Sequence, residues 1–146
     1  MNNRQIAQRY AEAAEEKDLT TLAQLASPDI EVRYPQSGEV IRGRDNYVAM
    51  LENYPGGLGD LELSETLGTK ERVTVQTPSF GMPVITVTGN DTTFFFEGFA
   101  EYPNGGRFHT AGYIEVQNMS IIRETTYFAE PFDAPAWRQP YVEDTP

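Results

Sequence analysis

The chain of 146 residues has no cysteine and a single histidine, His109. The first absence excludes disulfides, thiolate nucleophiles and cysteine-ligated metals, and the second excludes a zinc site built on clustered histidines. Basic residues are scarce: 11 Lys and Arg stand against 22 Asp and Glu, for a formal charge of −11. Binding to nucleic acid needs a basic footprint that meets phosphates, which excludes that class, and anionic membrane surfaces are disfavoured for the same reason. No apolar run reaches the ~18 residues of a membrane span. The start, Met-Asn-Asn-Arg-Gln, leads into a polar helix and not into the apolar core of a signal peptide, so a cytoplasmic protein is expected.

Aromatic residues are plentiful, with eight Tyr, eight Phe and one Trp. Tyr joins a large apolar body to a polar tip, which suits the lining of a ligand pocket as well as a core. The length fits one domain with a real core, expected over residues 1–130. The tail, 131–146, is rich in proline and carries Trp137. It is expected to form neither helix nor strand and to pack on the domain or on a dimer partner.

Periodicity divides the chain into helices first and strands after. Ile6, Tyr10, Ala13 and Ala14 share one face of a helix over 3–17, with Asn2 or Asn3 as its cap. Asp18 caps a short second helix carrying Leu19, Leu22 and Leu25, and Ser27-Pro28 stops it. Ile30, Val32 and Tyr34 alternate with Glu31 and Arg33 as a strand, and a loop with Pro35 and Gly38 follows. Tyr47, Met50, Leu51 and Tyr54 mark a third helix, ended by Pro55-Gly56-Gly57. Beyond it the period falls to two. Strands are expected from Leu61, from Val73, over 84–88, over 92–102, over 107–116 and over 121–128, with 78–83 as a loop insertion and Pro103-Asn104-Gly105-Gly106 as a hairpin turn. This order predicts an α+β domain whose bent sheet wraps the first helix.

Gln8-Arg9-Tyr10, Lys17-Asp18-Leu19, Val32-Arg33-Tyr34-Pro35 and Ile41-Arg42-Gly43, with Ile114-Glu115-Val116, Ile121-Ile122-Arg123-Glu124 and Tyr127-Phe128 in the closing hairpin, carry a resemblance. In order and spacing they resemble the NTF2-like superfamily, nearest its ketosteroid-isomerase and SnoaL-like polyketide-cyclase branches. The resemblance implies a cone-shaped, cystatin-like barrel, its N-terminal helices packed into a strongly curved antiparallel sheet. It also implies a deep apolar pocket for a hydrophobic small molecule and a homodimer. No cofactor and no metal are implied. The superfamily hosts isomerases, cyclases, epoxide hydrolases and non-catalytic proteins, so the fold leaves open whether this chain is an enzyme.

The isomerase branch uses an Asp base with a Tyr and a protonated Asp as oxyanion donors. The resemblance places that Tyr at Tyr10, but the base position holds Tyr34 and the protonated acid falls at Gly112. A phenol that titrates near 10 is a poor base at neutral pH. The cyclase and epoxide-hydrolase branches carry an acid where this chain has Thr126, whose hydroxyl orients a ligand but does no acid–base work near pH 7.

Two other acids take their place as catalytic candidates. Strand parity puts Glu124 and Phe128 on the face of Thr126. The register implied by the isomerase branch turns Phe95, Glu97 and Phe99 toward the pocket. The competing arrangement for Glu97 is a register one residue off, since both faces of 92–102 are apolar; for Glu124 it is a surface acid paired with Arg123 or Arg107. A carboxyl among phenylalanines resists ionisation, which is how a proton-moving group near neutrality is made. Tyr10, Tyr34, Tyr47 and Thr110 complete the expected ligand-binding set, against core packing as the alternative for the tyrosines. On its strand, Phe108, Thr110, Gly112 and Ile114 form the better inward face. His109 is thereby expected on the outer face, toward solvent or a dimer partner, though its titration near neutrality keeps it a candidate.

Overall fold

The computed structural model describes residues 1–63, 67–68, 73–76, 84–87 and 91–143, and side chains outside 62–90. The loop insertion expected at 78–83 lies outside the described residues. Two helices lead, α1 (Asn3–Glu16) and α2 (Leu19–Leu25), and a third, α3 (Arg44–Glu52), follows the first two strands. Asn2 caps α1 in a reciprocal box, its side chain accepting from the Gln5 N–H while the Gln5 side chain accepts from the Asn2 N–H. Lys17 closes α1 in the left-handed region, at φ 57°. The Asp18 carboxylate accepts the Thr21 N–H at 3.0 Å and starts α2.

The strands are β1 (Ala26–Tyr34), β2 (Glu39–Arg42), β3 (Asp60–Leu63), β4 (Leu67–Gly68), β5 (Val73–Gln76), β6 (Val84–Val87), β7 (Thr93–Glu101), β8 (Arg107–Gln117) and β9 (Ser120–Ala129). The main sheet runs β2-β1-β9-β8-β7-β3, with β4 further along the same edge of β7, while β5 and β6 pair with each other. This is the expected α+β fold with two corrections. The sheet is mixed, because β1 lies parallel to β9, and it is curved but not closed, ending at β2 and at β3 and β4. Alternation in sequence tells which face of a strand is buried, but not which strand some ninety residues away it joins. The segment around Ile41, read as loop, is the strand β2, turned back on β1 through Gly38 at φ 75°.

The core lies between α1 and the concave face. Ile6, Ala7, Tyr10 and Ala13 of α1 pack with Ile30 and Val32 of β1, Phe94 of β7, Ile114 and Val116 of β8 and Ile121 of β9. Each Ile, Val or Phe among them, withdrawn from water, contributes about 1.5–3 kcal/mol of transfer free energy. In the tail Ala136–Tyr141 forms one 3-10 helix, against the expectation of no helix. Such a turn accepts Pro140 because it needs few of its N–H groups. Phe132, Trp137 and Tyr141 remain 78%, 71% and 83% exposed on the single chain. No described helix is long and apolar enough to cross a membrane.

Candidate functional site

A cavity of about 140 Å³ opens between α1, α3 and the concave face of the sheet. Tyr10 of α1, Tyr47 of α3, Tyr34 of β1, Thr110 of β8 and Glu124, Thr126 and Phe128 of β9 all line it.

Glu124 occupies the central strand of the sheet, between β1 and β8. The pairs Glu115–Arg123 and Val116–Ile121 leave Ile122 unopposed. This bulge lets Ile121 and Glu124 both face inward although they are three residues apart. The carboxyl is 7% exposed and accepts the Tyr10 hydroxyl. It is not a surface acid: Arg123 pairs with Glu115 at 2.8 Å and Arg107 with Glu101 at 3.0 Å. Burial pushes the Glu124 carboxyl above its ordinary range, and the bond from Tyr10 offsets this in part. Burial, and then the Glu124 charge, push the hydroxyls of Tyr10, Tyr34 and Tyr47 upward in turn, so three phenols gather round one carboxyl and stay protonated. Among the described residues that line the cavity there is no Lys, Arg or His, and Glu124 is the one acid. Among the described residues no cluster of three or more His, Cys, Asp or Glu is disposed to hold a metal.

Other expected residues fall elsewhere. Phe96 pairs with Gly112 and Gly98 with Thr110, and directly paired residues project from the same side of a sheet. Phe94, Phe96 and Ala100 therefore face inward with the even-numbered residues of β8, and Phe95, Glu97 and Phe99 face outward. Glu97 is exposed and absent from the cavity wall. The register borrowed from the isomerase branch is off by one residue on this strand. His109 is likewise exposed, on the outer face, its ring edge-on to Phe99 at 5.0 Å.

Gly112, where the isomerase branch would place its protonated acid, has no room for a side chain. A Cβ there would collide with the Thr125 carbonyl oxygen and lie 2.8 Å from the Phe96 ring. Tyr34, in the base position, is edge-on to Phe128 at 5.4 Å and donates its hydroxyl to Met50 Sδ at 3.6 Å.

The sequence reading passed over Tyr54, Phe96 and Tyr102 as lining residues. Tyr54 and Tyr102 stack, 5.5 Å apart and 7° from parallel. Two outer grooves, of about 620 and 450 Å³, share Tyr54 and Phe128 with the cavity, so these rings form its mouth. Gly56 in the loop after Tyr54 lies close to Pro103 and Asn104 of the β7–β8 turn. A sequence signal existed: Tyr54 and Tyr102 each directly precede a proline that ends an element.

A curved open sheet closed by α1 and α3 over an aromatic cavity is an NTF2-like arrangement. The SnoaL-like domain family matches residues 7–123, and the chain belongs to it. Among solved structures, an NTF-2 like protein of unknown function from Burkholderia xenovorans is similar at 26% identity and TM-score 0.73, covering 99% of this chain and 95% of that one. A Kribbella flavida protein named as a candidate ketosteroid isomerase is similar at 20% identity and TM-score 0.68, covering 99% and 90%. An LEH-like epoxide hydrolase from M. tuberculosis matches at 14% identity and TM-score 0.57, covering 85% and 80%, which is a likeness of fold alone. No match to the sequence is found among curated proteins.

Proposed function

We propose that this SnoaL-like protein binds a small, largely apolar molecule in the cavity and moves a proton at it, in an isomerisation, cyclisation or hydrolysis, with Glu124 as the acid–base group. One observation carries the reading: among the described residues Glu124 is the one acid lining an aromatic cavity, withdrawn from water, with the Tyr10 hydroxyl as its hydrogen-bond partner. Withdrawal from water brings a carboxyl toward neutrality, where it both accepts and returns a proton. Tyr10 orients the carboxyl, and Tyr34, Tyr47 and Thr126 supply further hydroxyls on the wall. The test is a panel of small cyclic ketones and epoxides followed by NMR with wild type and Glu124→Gln. Conversion or α-hydrogen exchange that depends on wild type and falls at least a hundredfold in the folded variant supports the reading; equal rates overturn it.

A second reading has its own support. The positions that resemble the acid sites of related enzymes hold Tyr34, Gly112 and Thr126. A non-catalytic ligand-binding homodimer would raise its melting temperature with a bound ligand and return that ligand unchanged. Self-association through the outer sheet face is part of the proposal under either reading. Phe95 and Tyr113 pack there at 5.5 Å beside Phe99 and His109, and Tyr127 is 47% exposed. The exposed aromatic rings of the tail are a second surface for the partner copy to cover. Sedimentation of wild type beside Tyr127→Glu tests this: a dimer weakened in the variant is expected, and a monomeric wild type contradicts it.

A further inference from the structure

Thr110 is 95% withdrawn from solvent, lines the cavity, and its Oγ1 has no hydrogen-bond partner within the protein. A buried hydroxyl left unsatisfied costs about 1–3 kcal/mol. Of the buried unpartnered side-chain atoms among the described residues, which also include Arg123 Nε and Thr125 Oγ1, Thr110 Oγ1 is the one whose residue lines the cavity. Its place is informative. Thr110 pairs with Phe128, four residues along β9 from Glu124, or ~13 Å of strand. The cavity wall thus carries a carboxyl and phenol at one end and an unsatisfied hydroxyl at the other, with Thr126 of β9 and Phe96 of β7 between them. Its volume of about 140 Å³ is close to the ~150 Å³ that holds one benzene ring.

We infer that Thr110 is the second anchor of the ligand site, and that the ligand is a single six-membered ring, or its equivalent in size, bearing oxygen at both ends. One oxygen function meets Tyr10 and Glu124, and the opposite one exchanges a hydrogen bond with Thr110 Oγ1. This rests on the cavity assignment under Proposed function and adds the class of molecule. It also sets a selectivity: a molecule with only one oxygen leaves the Thr110 hydroxyl unpaired.

The probes are cyclohexanone and 4-hydroxycyclohexanone, which differ by the second oxygen. Their affinities are measured by NMR titration on wild type, Thr110→Val and Thr110→Ser. Wild type is expected to favour the hydroxyketone by about five- to tenfold, the worth of one hydrogen bond in a dry site. In Thr110→Val, which keeps the shape and deletes the hydroxyl, the ratio falls to near one; Thr110→Ser restores most of it. Thr110→Val also melts higher than wild type without ligand, because an unsatisfied group has gone. A ratio that is the same in wild type and Thr110→Val overturns the inference, as does failure of wild type to bind the hydroxyketone. The proton-transfer reading stands or falls separately. Glu124-dependent α-hydrogen exchange with an unchanged ratio removes Thr110 alone, while a Thr110-dependent ratio without exchange removes catalysis alone.

Discussion

The hydroxyl of Tyr10, on the first helix, donates to the carboxyl of Glu124, on the last strand, across 114 residues of chain. The bond joins the helix that fills the sheet to the strand at its centre and fixes an acid in the cavity wall.

Tyr10→Phe tests that bond. The hydrogen bond holds the Glu124 carboxyl below where burial alone would put it, so its loss raises the carboxyl's titration midpoint further. NMR of the glutamate side-chain carboxyls is expected to show one midpoint moving upward in the variant. The fold also loses about 1–2 kcal/mol, because a buried acceptor loses its donor. An unmoved midpoint means that the two groups do not interact.

Glu124→Gln changes how stability depends on pH. The native carboxyl holds its proton to higher pH than the ordinary 4.5. From that value up to the raised one, the folded state binds more protons than the unfolded state, so this group makes stability fall as pH rises. Gln removes the ionisation and keeps an acceptor for Tyr10. Denaturant unfolding should show the variant gaining on wild type as pH rises from 4 to 8. A gap that is constant or shrinks contradicts a raised carboxyl.

Gly112→Ala is expected to destabilise by about 3 kcal/mol or more, because the new methyl meets a backbone carbonyl oxygen that a side-chain shift cannot clear. Urea unfolding measures it. Stability near that of wild type would mean that β8 and β9 stand further apart.

Glu97→Gln and His109→Ala are expected to leave ligand binding in the cavity within about twofold of wild type, since both side chains lie on the outer face. Titration with 4-hydroxycyclohexanone checks this, and a tenfold loss in either variant would put that residue in the site.

These outcomes follow where the sequence was legible and where it was not. The helices could be read because Asn2 and Asp18 are strong caps and the apolar spacing is clear. The inward face of β8 could be read because Phe108, Ile114 and Val116 alternate with Arg107, His109 and Glu115. On β7 the run Thr-Phe-Phe-Phe-Glu-Gly-Phe-Ala is apolar on both faces, and no periodicity marks its inner side. Pairing decides it: Phe96 lies over Gly112 because only glycine leaves room for the ring. The parallel neighbour of β1 and the mouth formed by Tyr54 and Tyr102 depend on contacts between distant segments, which local patterns do not encode. Glu124 was reached from the parity of Thr126 alone, and the bulge at Ile122 spares it because it lies on the far side of both residues.

The central claim is that Glu124 moves protons at a ligand in the cavity. In D2O, a proton-moving Glu124 takes an α-hydrogen of 4-hydroxycyclohexanone as a proton, its electron pair passing to the carbonyl oxygen. The carboxyl exchanges that proton for a deuteron of the solvent and returns the deuteron to carbon as the electron pair moves back. The decisive measurement is the rate of this exchange against pH, for wild type and Glu124→Gln. The account predicts exchange above the buffer background in wild type, rising through a midpoint above 4.5, and background exchange in the variant. Exchange as fast in Glu124→Gln as in wild type would contradict it.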